Sequence, residues 1–142
     1  GYHFHYVSAS PWQLWPSLGP FIAEHYPQGT VAMRHFRLKD GSFAEFLGTS
    51  SYGFKVTAIS RIITRYWDHQ FILIGDSGEC DPEIYGQMAR WFHGRVKHII
   101  IRKVAGSDFS HDRMRGAVHD TPQVGCEYIG SDVAGGEKGC QK

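Results

Sequence analysis

The sequence predicts an α/β domain built on a mostly parallel sheet with helices on both faces. Short apolar runs of strand length alternate along the chain with longer segments of helical periodicity, in the order β-α-β-α-β-α-β. Ser-Pro and Asp-Pro pairs, which are typical of a helix start, follow two of these runs. With 142 residues, of which 42% are hydrophobic, the chain is long enough to bury one core.

The first predicted strand covers residues 3–8, HFHYVS, and is rich in aromatic side chains. Ser10 is predicted as the N-cap of the helix that follows, with Pro11 in its first turn. Helix capping does not explain why a serine, Ser8, stands at the end of the strand. Apolar residues then recur at helical spacing, which favours a face packed in the core over a lipid-binding surface. They are Trp12, Trp15, Leu18 and Phe21 or Ile22.

A second strand is predicted over Thr30–Leu38, followed by a Gly- and Ser-rich loop at residues 39–52 and a helix from Phe54. Lys55 lies near the start of this helix, where the positive end of the helix dipole disfavours a cation. It is either an exposed lysine without a role or a charge that serves a bound anion. The sequence pattern leaves both interpretations open.

The stretch Phe71–Tyr85, FILIGDSGECDPEIY, has the most chemical content. Its first four residues predict a strand buried on both faces. Asp76 follows this run, and Asp81 is predicted as the N-cap of a helix with Pro82 in its first turn. Two carboxylates therefore lie where a parallel strand ends and a helix begins, which is where open α/β sheets bind ligands. They suit Mg²⁺; the alternative is that Asp81 only caps the helix and Asp76 is only solvated.

A Gly-Asp-Ser-Gly string at residues 75–78 also surrounds the nucleophile of trypsin-like serine proteases. Here Glu79 stands where those proteases have a further glycine. The flanking pattern is strand–helix rather than an all-β barrel. Both observations argue against a protease.

Another buried strand is predicted at Arg95–Arg102, RVKHIIIR. From residue 106 onward the chain has many glycines and charges with little periodicity, and only Val124–Ile129 hints at a strand. We therefore predict one α/β core over residues 1–105 and an irregular, loosely packed tail over residues 106–142.

The composition argues against several classes of function. The net charge of +1 gives no electrostatic basis for binding nucleic acid. No apolar run approaches the length of a membrane span. Cys80, Cys126 and Cys140 show no paired spacing, which favours reduced thiols and a cytoplasmic location.

Several blocks together resemble the catalytic domain of the App1-type phosphatidate phosphatases, a family that is similar to the haloacid dehalogenase (HAD) superfamily. These blocks are YVSASPWQLWP near the start, the helix-opening Lys55, and FILIGDSGECDPEIY followed by GRVKHIIIR. The resemblance spans about residues 2–104. It is specific, because the SPWQL and GDSG-x-x-DPEIY strings are long, unusual and in the expected order.

The resemblance implies a HAD-like fold and hydrolysis of phosphatidate or a related lipid phosphomonoester, with Mg²⁺ as cofactor and contact with a membrane surface. Ser8 would hydrogen-bond the transferred phosphoryl group, and Ser10 would assist or only cap. Lys55 would neutralise the phosphate, while Asp76 and Asp81 would hold Mg²⁺ directly or through water. A hydroxyl, a lysine and a carboxylate-bound metal are the groups that phosphoryl transfer needs.

The sequence departs from the family in one respect. The first HAD motif, Asp-x-Asp, supplies the aspartyl nucleophile and the general acid, and it occurs nowhere in the 142 residues. We expect this motif and its central strand upstream of Tyr2, so that the chain is a portion of a larger catalytic domain and is inactive alone. The alternative is a non-catalytic, phosphatase-like module that binds a ligand or partner through the same pocket. The oligomeric state is left open.

Overall fold

The computed structural model describes residues 1–35, 51–107 and 109–130. The chain forms two compact units, Gly1–Ile62 and Ile63–Lys142. Some predicted segments lie outside the described residues. They are residues 36–38 of the second strand, residues 39–50 of the loop and residues 131–142 of the tail.

The first unit contains a parallel strand pair. Its elements, in chain order, are β1 (Phe4–Pro11), a 3-10 turn (Trp12–Leu14), α1 (Trp15–His25), β2 (Gly29–Arg34) and α2 (Ser51–Arg65), whose last turn belongs to the second unit. The register of β1 and β2 is regular from Phe4 opposite Gly29 to Ser8 opposite Met33. It then shifts before Pro11, so Ser8 is the last residue of the regular ladder.

The second unit contains a three-stranded parallel sheet in the order β3-β4-β5. Its elements are β3 (Phe71–Asp76), α3 (Asp81–Trp91), β4 (Val96–Arg102), α4 (His111–Ala117) and β5 (Gly125–Ile129). Helix α3 packs against β3, β4 and α4. The alternation of parallel strands and helices confirms the predicted α/β class.

The core of the second unit lies between α3 and the sheet. Ile84 and Met88, one helical turn apart, are fully buried, as are Ile99 and Ile101 on one face of β4. Each such side chain contributes about 1.5–3 kcal/mol when it is fully removed from water. This core therefore anchors the start of α3 against the carboxyl end of the sheet.

Strand β3 is buried on one face rather than on both. Leu73 is buried, but its neighbours Ile72 and Ile74 are 49% and 66% exposed. Successive side chains of a strand point to opposite faces. Gly75, on the same face as Leu73, lies against Asp81 and Tyr85 of α3, so α3 packs on that face. The prediction of a strand buried on both faces is therefore wrong.

The start of the chain also differs from the prediction. Ser10 lies within β1 and is not a helix N-cap; α1 begins at Trp15, with Leu14 in the N-cap position. The reason is that β1 continues to Pro11 after its register shift and a 3-10 turn comes before the helix.

The aromatic residues of this region do not form a buried core. No residue of α1 is buried. Trp12 and Trp15 instead stack on each other, with ring centroids 5.2 Å apart. Phe21 packs on the ring of His25 and is 51% exposed. The predicted core stripe is therefore wrong, since these rings pack locally.

Residues 111–129, predicted as part of an irregular tail, contain α4 and β5. The Ser110 hydroxyl caps α4 by accepting a hydrogen bond from the Arg113 backbone N–H (3.2 Å), and Met114 and Ala117, three residues apart, are buried. β5 adds to β4 by parallel pairing. Across the described ranges, no helix is long and apolar enough to span a membrane.

Candidate metal site at the end of strand β3

The structure brings Asp76 and Asp81 together. Asp76 is the last residue of β3, and Asp81 is the first residue of α3. Asp81 is only 6% exposed, and its Oδ2 accepts a hydrogen bond from the Asp76 backbone N–H (3.2 Å). The two predicted metal ligands therefore share the carboxyl edge of the sheet.

Helix α3 begins with Cys80, not Asp81, in the N-cap position. The Ile84 N–H donates to the Cys80 carbonyl (3.0 Å), which sets the first helical hydrogen bond one residue earlier than predicted. Pro82 lies in the first turn as predicted. The Asp81 carboxylate turns back to the end of β3, so helix capping alone does not account for it.

Gly75 and Tyr85 complete the surroundings of Asp81. A Cβ atom on Gly75 would lie 2.5 Å from Asp81 Oδ2 and 2.7 Å from the Tyr85 hydroxyl, so the close approach requires glycine. That hydroxyl donates to the Ile74 carbonyl (2.9 Å). Burial raises the pKa of Tyr85 far above its usual value, and the charges of Asp81 and Asp76 raise it further. Tyr85 therefore remains a neutral donor that ties α3 to β3.

Asp76 is more accessible than Asp81. Its Oδ1 accepts a hydrogen bond from the Gly78 N–H (2.9 Å), and its Oδ2 lies 3.9 Å from an Arg102 guanidinium nitrogen. The Arg102 side chain is 71% exposed. Exposed ion pairs contribute about 0–1 kcal/mol. Replacing this contact with a bound cation therefore costs little.

These two carboxylates fit Mg²⁺. Within the described residues, no three His, Cys, Asp or Glu side chains are grouped to hold one ion. Mg²⁺ does not require such a cage, since it is commonly bound by one or two carboxylates and completes its shell with waters and substrate phosphate. The buried Asp81 would supply a preformed ligand and Asp76 a reachable one.

Ser77, the serine of the Gly-Asp-Ser-Gly string, is a structural residue. It is 1% exposed. Its Oγ accepts a hydrogen bond from the Val104 N–H (3.0 Å) and contacts the Ser107 hydroxyl (2.5 Å), which in turn donates to the Val104 carbonyl (2.7 Å). A serine nucleophile must reach a substrate, and this buried ring of hydrogen bonds excludes that role for Ser77.

Ser8, Ser10 and Lys55 lie in the first unit. Ser8 Oγ accepts a hydrogen bond from the Ser10 backbone N–H (3.2 Å), so the structure links these two residues. Lys55 is half-buried and is the fifth residue of α2, beyond the first turn where the helix dipole acts most strongly. The roles of these three residues in binding phosphate stay predictions.

Comparison with known proteins decides the family. The family model for the catalytic domain of phosphatidate phosphatase APP1 matches residues 1–103. The chain belongs to this family. The match includes all five predicted site residues and ends just after β4, so α4 and β5 lie beyond it.

Two curated relatives support membership of the APP1 family. An uncharacterized protein of Schizosaccharomyces pombe is 38% identical over 107 residues, which are 74% of this chain and 17% of that protein. Phosphatidate phosphatase APP1 of Saccharomyces cerevisiae is 35% identical over 104 residues, 73% of this chain and 17% of that protein. The chain thus spans 17% of the length of each relative. No solved structure matches it.

Three residues around the Asp76–Asp81 pair are not among the predicted site residues. Tyr85 lies four residues after Asp81, one helical turn away, so the spacing alone indicates that the two side chains share a face of the helix. The role of Gly75 emerges only from the structure, where its missing Cβ lets Asp81 and Tyr85 approach β3. Arg113 contacts the loop between the two aspartates, but it lies in the segment predicted to be irregular.

Proposed function

We propose that this chain forms part of a phosphatase that hydrolyses phosphatidate or a related lipid phosphomonoester with the help of Mg²⁺. The observation that carries the proposal is the Asp76–Asp81 pair, in which a buried carboxylate is held at the end of a parallel strand. Burying a carboxylate costs free energy, which a bound cation offsets. The pair lies within the residues matched by the APP1 family.

Each proposed role follows from the chemistry of phosphoryl transfer. Asp76 and Asp81 would hold Mg²⁺, which stabilises the negative charge of the transferred group when bound. Ser8 would donate its hydroxyl hydrogen to a phosphoryl oxygen, and Lys55 would neutralise phosphate charge. By the HAD resemblance, the nucleophile is the first aspartate of an Asp-x-Asp motif, which forms an aspartyl-phosphate and which these 142 residues do not contain.

Phosphate release from phosphatidate vesicles tests the proposal. The assay is run with and without Mg²⁺ on this chain and on a longer protein that includes an upstream Asp-x-Asp. We expect Mg²⁺-dependent release from the longer protein only. We expect Asp76→Ala to reduce it at least about 100-fold, because several kcal/mol of transition-state stabilisation depend on the metal. Asp112→Ala, at an aspartate whose side chain is 90% exposed, should leave the rate unchanged.

The second candidate is a non-catalytic module that binds a phosphorylated ligand through the same residues. A parent protein that carries no Asp-x-Asp upstream of these residues would favour it. The same assay separates the two functions. A longer protein that is folded and binds Mg²⁺ but releases no phosphate would contradict the phosphatase proposal and support the binding module.

We further propose that the first unit contacts the surface of a membrane that contains the substrate. Leu14, at the end of the 3-10 turn, and Phe21, on α1, are 47% and 51% exposed. Apolar and aromatic side chains on such helices enter the lipid interface. We expect Leu14→Ser combined with Phe21→Ser to weaken sedimentation with phosphatidate vesicles at least about 10-fold.

The matched control for vesicle binding is Trp67→Ser. This side chain is 75% exposed and lies in the other unit, outside the proposed contact. The control should bind vesicles like the wild type. Equal binding by the Leu14 and Phe21 double variant, with its fold intact by circular dichroism, would contradict the membrane contact.

We also propose that the chain acts in a reducing compartment, such as the cytoplasm. Among the described residues, Cys80 is an exposed free thiol. Free cysteines are typical of proteins kept reduced.

A further inference from the structure

Helix α4, which lies outside the family match, directs one side chain at the loop between the two aspartates. The match ends at residue 103, whereas α4 covers His111–Ala117. Met114 and Ala117 are buried, and α4 packs on α3. The helix is therefore anchored to the same element that carries Asp81. It directs Arg113, whose side chain is only 18% exposed, toward the loop between Asp76 and Asp81.

The guanidinium of Arg113 donates several hydrogen bonds to the loop and to the first turn of α3. Its Nη1 donates to the Ser77 carbonyl (3.0 Å), and its Nη2 donates to the Glu79 carbonyl (2.5 Å). Its Nε donates to Glu83 Oε1 (2.6 Å), and Nη2 also donates to Glu83 Oε2 (3.0 Å). The planar fork of an arginine suits such an arrangement, and a lysine has no equivalent spread of donors.

These contacts connect both aspartates. The two carbonyls flank Gly78, whose N–H donates to Asp76 Oδ1, so fixing the loop also fixes the Asp76 carboxylate. Glu83 lies in the first turn of α3, two residues after Asp81. Arg113 therefore ties the loop that orients one aspartate to the helical turn that carries the other.

The charges of this arrangement suit a cation site. Glu83 neutralises Arg113 through a two-pronged ion pair, so the guanidinium fixes the loop without adding net positive charge beside the two aspartates. We propose that Arg113 is a positioning residue that holds Asp76 and Asp81 in the geometry that binds Mg²⁺. The inference deepens the proposed function and rests on its metal site.

Binding of Mn²⁺, a spectroscopic substitute for Mg²⁺, tests this inference on the whole chain. The bound fraction is obtained from the loss of the free Mn²⁺ signal in electron paramagnetic resonance. We expect Arg113→Met to raise the dissociation constant by about 10–100-fold, the usual effect of removing a residue that orients metal ligands. Arg113→Lys, which keeps the charge and most of the stem, should weaken binding nearly as much, because charge alone does not bridge the two carbonyls.

The control is Arg115→Met on the same helix, where the side chain is 67% exposed and pairs with Asp112. This substitution is the same chemical change at a position away from the loop. The variant should bind Mn²⁺ like the wild type. Far-ultraviolet circular dichroism verifies the fold of each variant at the titration temperature. If Arg113→Met does not fold, Arg113→Lys decides the test.

The outcomes separate this inference from the metal site on which it rests. One outcome overturns only the role of Arg113. In it, a folded Arg113 variant binds Mn²⁺ within about twofold of the wild type, while Asp76→Ala loses binding. Wild-type binding that is absent, or that is unchanged by Asp76→Ala, overturns the metal site and this inference together.

Discussion

Gly86→Ala is expected to lower the free energy of unfolding of the second unit by at least about 2 kcal/mol. The new methyl group on α3 would collide with the Ala117 carbonyl oxygen at the end of α4. The obstacle is backbone and cannot rotate away, so the two helices must separate. The Arg90 guanidinium, which donates to the same carbonyl (3.0 Å), would also lose its contact.

Thermal unfolding followed by circular dichroism measures this effect. For a unit of this size, the loss corresponds to a fall in the midpoint of about 8 °C or more. Gly116→Ala is the matched control, because its methyl group meets nothing within 4 Å. It should instead raise stability by up to about 1 kcal/mol, since alanine favours a helix over glycine. A Gly86→Ala midpoint equal to that of the wild type would show that α3 and α4 pack differently.

Asp81→Asn is expected to abolish Mg²⁺ binding without lowering the stability of the metal-free protein. The affinity should fall at least about 100-fold, since this change removes a ligand charge rather than an outer contact. The amide oxygen can still accept the hydrogen bond from the Asp76 N–H. Removing a buried charge offsets any loss of packing, so the metal-free variant should unfold at or above the wild-type midpoint.

Unfolding midpoints measured with and without Mg²⁺ check both parts of this prediction. A metal that binds only the folded state stabilises it, and the gain grows with the logarithm of the metal concentration once this exceeds the dissociation constant. The unfolding midpoint of the wild type should therefore rise with added Mg²⁺, and that of Asp81→Asn should not. Asp112→Asn, at a side chain that is 90% exposed, should respond to Mg²⁺ like the wild type. A variant that is destabilised without metal but still responds to Mg²⁺ would assign Asp81 a structural role.

Local sequence signals predicted the part of the site that lies on adjacent elements. An apolar run ending at Ile74 and an Asp-Pro pair placed one carboxylate after a strand and another at a helix start. In the structure Asp76 is the last residue of β3, and Asp81 is in the first turn of α3 with the N-cap displaced to Cys80. Such signals succeed because strand and helix boundaries depend mainly on nearby residues.

Burial was harder to predict than the elements themselves. Ile72 and Ile74 are as apolar as Leu73, yet they are exposed because α3 packs on the other face of β3. The rings of Trp12 and Trp15 have helical spacing, yet they stack on each other instead of entering a core. Hydrophobic spacing shows which residues share a face, but it does not show what covers that face.

The sequence by itself determined the α/β class, the parallel alternation of strands and helices, and the place of Asp76 and Asp81 at a strand–helix junction. Only the tertiary structure decided that Asp81 is buried against the end of β3, that Ser77 is inaccessible, and that Arg113 secures the loop from 36 residues away. The physical reason is the distance along the chain over which each effect acts. Periodicity, glycine and proline act on their neighbours, whereas burial and a hydrogen bond to a distant carbonyl exist only after the helices have packed on the sheet.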